Sequence, residues 1–199
     1  MRWQTGPMVD LQICQDPDAD AVLSSSAFAL VAGMMLDQQY PMEHAFRGPH
    51  KVLSRLGSFT PEVVAGADPE EFAALCAVTP AVHRFPGSMA ARLQELARLV
   101  AEEYDGSTER LWTEAKDAKD LDKRIRALPG FGAQKAKILQ ALLAKQLGVQ
   151  LDGWEKVTGD YALEGYRSVA DVVDGESLQK VRDFKKQMKA AAKAAKPTA

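Results

Sequence analysis

From Ala27 to Leu36 the chain reads AFALVAGMML, with no polar side chain in the run. A helix with one wet face would show polar positions at a 3.6-residue period, so this run predicts a helix enclosed on all sides. Asp37-Gln38-Gln39-Tyr40-Pro41 then ends it abruptly in polar groups. Met42 to Leu56, Pro61 to Ala67 and Pro69 to Ala77 read as short helices, with Pro61 and Pro69 at first-turn positions where a missing N–H is tolerated. From Met89 to Tyr104, Leu93, Leu96, Leu99 and Val100 recur on one face, and Asp105-Gly106 stops the helix. Leu111 to Ala118, Leu121 to Ala127 and Trp154 to Gly165 follow as further helices. Ser177 to Lys193 carries an apolar thread of Leu178, Val181, Phe184 and Met188 before an Ala/Lys tail expected to fray beyond about Lys189. No period-2 alternation of convincing strand length and no fixed-period repeat occurs, so the fold class predicted is all-α.

Residues 126 to 139, RALPGFGAQKAKIL, interrupt this pattern with a Gly-rich hairpin and then resume it. Leu128-Pro129-Gly130 ends one helix, because proline cannot continue it and glycine tolerates positive φ. Gly132 lets a second helix start almost at once. The turn therefore presents backbone N–H groups at a helix N-terminus, a ready seat for an anion such as a DNA phosphate.

With 199 residues and 46% hydrophobic content the chain can bury a full core, as one compact unit or two small lobes sharing a cleft. The longest apolar run is far below bilayer-spanning length, and the N-terminus MRWQTGPMVDLQ lacks a charged segment followed by an apolar one. A cytoplasmic protein without a membrane partner is expected. His44, His50 and His83 have no spacing with each other or with Cys14 and Cys76 that supports zinc. A net charge of −2 and a pI of about 6.0 argue against strong non-specific nucleic-acid binding. The charges are segregated, however. Acidic residues gather at Asp16 to Asp20 and Asp68 to Glu71. Arg124, Arg126, Lys135 and Lys137 flank the hairpin, and Lys180, Arg182, Lys185, Lys186, Lys189, Lys193 and Lys196 fill the C-terminal stretch.

The LPGFG hairpin with its flanking helices resembles that of the helix-hairpin-helix (HhH-GPD) DNA glycosylase superfamily, which includes endonuclease III and the alkylbase glycosylases. In that family the residue two past the second hairpin glycine is Lys in the bifunctional lyases, and an essential Asp follows in the next connection. Here those positions hold Gln134 and, eighteen residues later, Asp152. Leu30 to Pro49 is similar to the family's early apolar helix ending in glutamines, so the resemblance spans roughly Ser25 to Gly165. It implies a two-lobed all-α fold with a cleft between lobes. Residues 25–147 would form the lobe carrying the helix-hairpin-helix (about 121–147), and 1–24 with 148–199 the other. Two cysteines are too few for the four-cysteine iron–sulfur cluster of many endonuclease III relatives, so no cofactor is expected beyond a monovalent cation on the main-chain carbonyls of Arg126, Leu128 and Phe131.

The activity implied is that of a monomeric, monofunctional DNA glycosylase acting on double-stranded DNA that contains a damaged base. Asp152 is the candidate catalytic carboxylate, with Asp160 in reserve, because breaking an N-glycosidic bond builds positive charge on the sugar. Asp152-Gly-Trp-Glu155 is equally a D-x-x-E capping pattern, in which Asp152 caps the helix that follows. Gln134 stands where a lyase lysine would attack, and Lys135, about 100° further round the helix, would aim elsewhere, toward phosphate or solvent. Gly130, Phe131, Gly132, Gln134, Lys135, Gln38, Gln39 and Arg84 form the candidate DNA-binding set. Tyr40, Trp154 and Tyr161 are candidates for a base pocket, although aromatics at such spacings also serve as ordinary core. The rival readings are a non-catalytic helix-hairpin-helix DNA-binding protein and an interaction scaffold using the Lys-rich tail.

Overall fold

The computed structural model describes residues 10–194, and all regular structure in that range is helical. Helix α1 (Pro17–Ser25) occupies the first acidic cluster, and two of the cluster's acids are structural. Asp16 caps Ala19 N–H at 3.3 Å, and Asp20, 2% exposed, accepts Cys14 N–H at 2.7 Å. Ser26 caps α2 (Ala27–Leu36) through Ala29 N–H at 3.1 Å, and all ten residues of α2 are buried, as its composition requires.

The helix expected over Met42 to Leu56 is two, α3 (Met42–Phe46) and α4 (Gly48–Leu56). Pro49 divides them: its nitrogen has no hydrogen for the Ala45 carbonyl, and its ring crowds the preceding turn. Helices α5 (Pro61–Gly66) and α6 (Pro69–Ala77) start on prolines and are capped by Thr60 and Asp68, so the second acidic cluster is also partly a capping device. Helix α7 (Pro86–Glu103) begins ahead of the expected Met89, with Pro86 in its first turn, and its chain reverses through Asp105 and Gly106 at φ 48° and 74°.

Only one turn, α8 (Arg110–Thr113), forms where Leu111 to Ala118 was expected to be helical. Asp117 takes over the following residues by capping Asp120 N–H at 2.8 Å, so α9 runs Ala118–Arg126. Helix α10 (Ala133–Leu147) follows the hairpin. The expected helix from Trp154 to Gly165 stops early, as α11 (Trp154–Thr158), because Gly159 adopts φ 60°, ψ −126°, and a 3₁₀ turn at Gly159–Ala162 completes the segment. A second 3₁₀ turn, Val169–Asp171, is tied to α10 by a 2.7 Å Lys145–Asp171 ion pair. Helix α12 (Gly175–Ala194) continues well past Lys189, in keeping with the helix propensity of its Ala/Lys sequence.

Helices α1 to α4 pack about α2, which also touches α7, and α5 and α6 pack on α7. Helices α9 and α11 and both 3₁₀ turns pack about α10. The two sets meet where α2 contacts α10, and this contact places the end of α2 beside the hairpin. Among the described residues no single helix is long and apolar enough to cross a membrane.

Candidate nucleic-acid interface

The hairpin is fastened from below by its apolar residues. Leu128 and Phe131 are 3% and 7% exposed, and Phe131 N–H bonds back to Leu128 O at 3.2 Å. The Phe131 side chain thus belongs to the core, and only its main chain is placed for an interface. Gly130 has φ 80°, and a Cβ there would stand 3.1 Å from both Met35 Cγ and Arg92 Cδ. Glycine is needed twice over, for the left-handed turn and for the close approach to α2 and α7. Gly132, Ala133 and Gln134 are exposed. The α10 ladder begins with Ala136 N–H to Gly132 O at 3.0 Å, so the N–H groups of Ala133, Gln134 and Lys135 lie outside it, at the positive end of a 15-residue helix.

The end of α2 meets this turn through one carbonyl. Met35 O accepts Gln38 Nε2 at 2.8 Å and Lys135 Nζ at 2.7 Å. Arg92 Nη1 donates to Gln38 Oε1 at 3.0 Å, so both ends of the Gln38 amide are held within the protein. Gln39 is the exposed tip, at φ 52°, with Arg84 Nη1 donating to its carbonyl at 3.3 Å. Behind the tip, the Tyr40 ring packs 4.7 Å from His83 and 5.9 Å from His44. His83 is buried and accepts Phe85 N–H on Nδ1 at 3.1 Å, which leaves Nε2 to carry the proton donated to Gln38 O at 3.0 Å. Burial holds its pKa below the ordinary value, in keeping with a neutral ring that braces the turn. Arg84 and Phe85 stand exposed beside it, guanidinium 4.7 Å from the ring centroid.

Gln134 faces elsewhere: its Nε2 donates to Tyr161 Oη at 2.9 Å, linking the start of α10 to the turn after α11. Trp154 opens α11 and, like Tyr161, is half-buried. Asp152 is exposed. The capping pattern Asp152 to Glu155 does not form, because the residue preceding α11 is Gly153, in the left-handed region at φ 77°, and no side chain caps the helix. Asp152 instead lends its carbonyl to Ala118 N–H at 3.1 Å, pinning its main chain to the start of α9, and among the described residues its carboxylate has no hydrogen bond or ion pair. Asp160 is likewise exposed, on the 3₁₀ turn. The structure therefore brings Gln38, Gly130 and Lys135 together at Met35, and Gln134 with Tyr161. Adjacent positions on α10 join the two groups, and no side-chain contact ties Asp152 to either.

Lys135 is the most perturbed of these groups. Burial pushes its pKa down to about 8, against the attraction of Asp37 and with added repulsion from Arg92, and the ammonium lies 5.7 Å from the Phe131 ring centroid. Between pH 8 and the ordinary lysine value the unfolded chain binds more protons at this position than the folded one, so stability rises with pH across that window and the penalty is complete below it. Lys135→Met is expected to flatten this rise. Urea unfolding at pH 7.5 and pH 9.5 measures it, and an unchanged pH slope would show that the amine is not desolvated.

Arg92 and Asp37 carry parts of this arrangement that the sequence does not flag. Arg92 reaches Gln38 across 54 residues and sits beside an ordinary apolar stripe of α7, where a cation looks like a solvated edge.

A family model described as HhH-GPD superfamily base excision DNA repair protein matches residues 32–198. Among solved structures, that of a thermostable thymine-DNA glycosylase is 17% identical over 80% of this chain and 70% of its own, with a TM-score of 0.42. No protein of curated function matches the chain. The matched residues begin within α2 and take in the Gln38–Gln39 tip, the whole hairpin, Gln134 and Asp152, so the chain belongs to the HhH-GPD superfamily of base excision DNA repair proteins.

Proposed function

We propose that the protein is a monofunctional DNA glycosylase, which flips a damaged base out of double-stranded DNA and hydrolyses its N-glycosidic bond. The observation that carries this reading is the first turn of α10. It presents an amide, Gln134, where a lyase would present an amine, and Asp152 stands eighteen residues on as an exposed carboxylate free of partners among the described residues. An amide nitrogen has no basic lone pair to attack C1′, so strand cleavage through a Schiff base has no nucleophile at that position. Hydrolysis needs only a carboxylate to stabilise the cationic sugar and to orient a water, and Asp152 is assigned that role.

In this proposal the free N–H groups of α10 hold a phosphate, Gln39 enters the duplex from the exposed tip, and Arg84 contacts the backbone nearby. Trp154 and Tyr161 line the base pocket, in the cleft between the two lobes expected from the sequence. Tyr40, engaged by His83 and His44, supports the tip from behind. The carbonyls of Arg126, Leu128 and Phe131 are the proposed seat of a monovalent cation. Leu128 O already accepts Phe131 N–H and has a second lone pair to offer.

Excision assays on a panel of lesion-bearing duplexes test the proposal. Abasic product without strand cleavage on at least one lesion is expected. Retention on DNA with no abasic product on any of them would instead establish a non-catalytic binding protein.

A further inference from the structure

The C-terminal helix enters the core only near its start, through Leu178 and Val181, and it holds six basic against two acidic side chains in a protein of net negative charge. Arg182, Lys185, Lys186, Lys189 and Lys193 recur so that, at 3.6 residues per turn, they fall within a stripe about 100° wide and roughly 16 Å long. Glu176 and Asp183 lie outside it, and Val181 turns inward beside it.

The stripe starts at the proposed DNA site and runs away from it. Arg182 is hydrogen-bonded to Glu43, and Lys185 Nζ lies 3.7 Å from Asp37 and 3.8 Å from Met42 Sδ. Asp37 and Glu43 bracket the exposed Gln39 tip in sequence, and Asp37 acts on Lys135 from the same position. The two acids anchor the first part of the stripe. Lys186, Lys189 and Lys193 continue it, exposed and with no carboxylate partner among the described residues.

We propose that this stripe is a second contact surface for duplex DNA, following the phosphate backbone outward from the flipped base. The inference rests on the DNA-binding reading above. Three cations without carboxylate partners, continuing outward from the two anchored beside the Gln39 tip, have the charge and the length to follow about three phosphates of one strand, which are spaced about 3.4 Å along the duplex axis. Such contacts position the protein without reading sequence.

The test is the salt dependence of binding by the full chain to an undamaged duplex, followed by fluorescence anisotropy. Each phosphate contact contributes about 0.9 to the slope of log K against log salt. Replacing Lys186, Lys189 and Lys193 together by Gln is expected to reduce the slope by about 2.7, whereas replacing all three by Arg leaves it unchanged. Circular dichroism verifies the fold, and since all three residues are exposed no core contact is lost. A triple Gln variant that excises lesions and keeps the parent's slope overturns the stripe alone. A parent that shows no salt-dependent affinity for duplex DNA overturns both the stripe and the function on which it rests.

Discussion

Asp152→Asn is expected to slow base release by about 100-fold or more while duplex affinity and folding stability stay near those of the parent. The structure separates these quantities cleanly. Among the described residues the Asp152 carboxylate has no partner, and what Asp152 contributes to the fold is its carbonyl, bonded to Ala118 N–H at 3.1 Å. Asn keeps that carbonyl and the shape of the side chain, so the change in stability should lie within about 0.5 kcal/mol, as for other exposed positions. It removes only the negative charge, which in the proposed mechanism acts in the transition state, where positive charge develops on the deoxyribose. An interaction made only there lowers the rate of the chemical step and leaves binding alone. Single-turnover excision together with a binding titration reads both effects. A variant that releases base within a few-fold of the parent would leave Asp152 as a surface residue between α10 and α11, with no part in the chemistry.

The features that sequence made legible are those written in local chemistry. The buried α2 follows from ten consecutive residues with no polar side chain. The hairpin follows from Pro129, Gly130 and Gly132, and the starts of α5 and α6 from Pro61 and Pro69. Local chemistry also misled. Asp16 to Asp20 reads as a cluster of like charge, although Asp16-Pro17 is a sound helix start, and the D-x-x-E pattern at Asp152 promised a cap that the left-handed Gly153 prevents. What stayed hidden depends on contacts distant in sequence. Lys135 looks solvated on a helical wheel, yet its ammonium reaches the Met35 carbonyl 100 residues away, because the close approach at Gly130 sets α10 against the end of α2. The same docking explains why, of the two glutamines, Gln38 is held by Arg92 and Met35 while Gln39 remains free to project. No pattern in the residues 38 and 39 themselves distinguishes them.

Gln134→Lys is expected to create a strand-cleaving activity that the proposed monofunctional parent would lack, with a covalent protein–DNA adduct trapped by borohydride. Gln134 is exposed and bonded to Tyr161, so an amine there would replace one donor by another without disturbing the core. Its reactivity depends on the fraction of neutral amine. In the free protein an exposed lysine keeps a pKa near 10.4, and well under 1% is neutral at pH 7.5, so the gain will be slow unless bound DNA desolvates the group. Trapping accumulates even a minor Schiff base and suits a slow reaction. The informative control is the neighbouring residue. Lys135, with its pKa pushed down to about 8, holds a larger neutral fraction than an ordinary lysine, but it is tied to Met35 O at 2.7 Å on the side of α10 that faces α2. Combining Gln134→Lys with Lys135→Met should therefore preserve the adduct, while the parent and Lys135→Met alone give none. Adduct in the parent that disappears with Lys135→Met would make Lys135 the nucleophile and end the monofunctional assignment. Repeated absence of adduct from Gln134→Lys, with base excision intact, would mean that position 134 does not face the sugar, and the register that pairs it with Asp152 would be wrong.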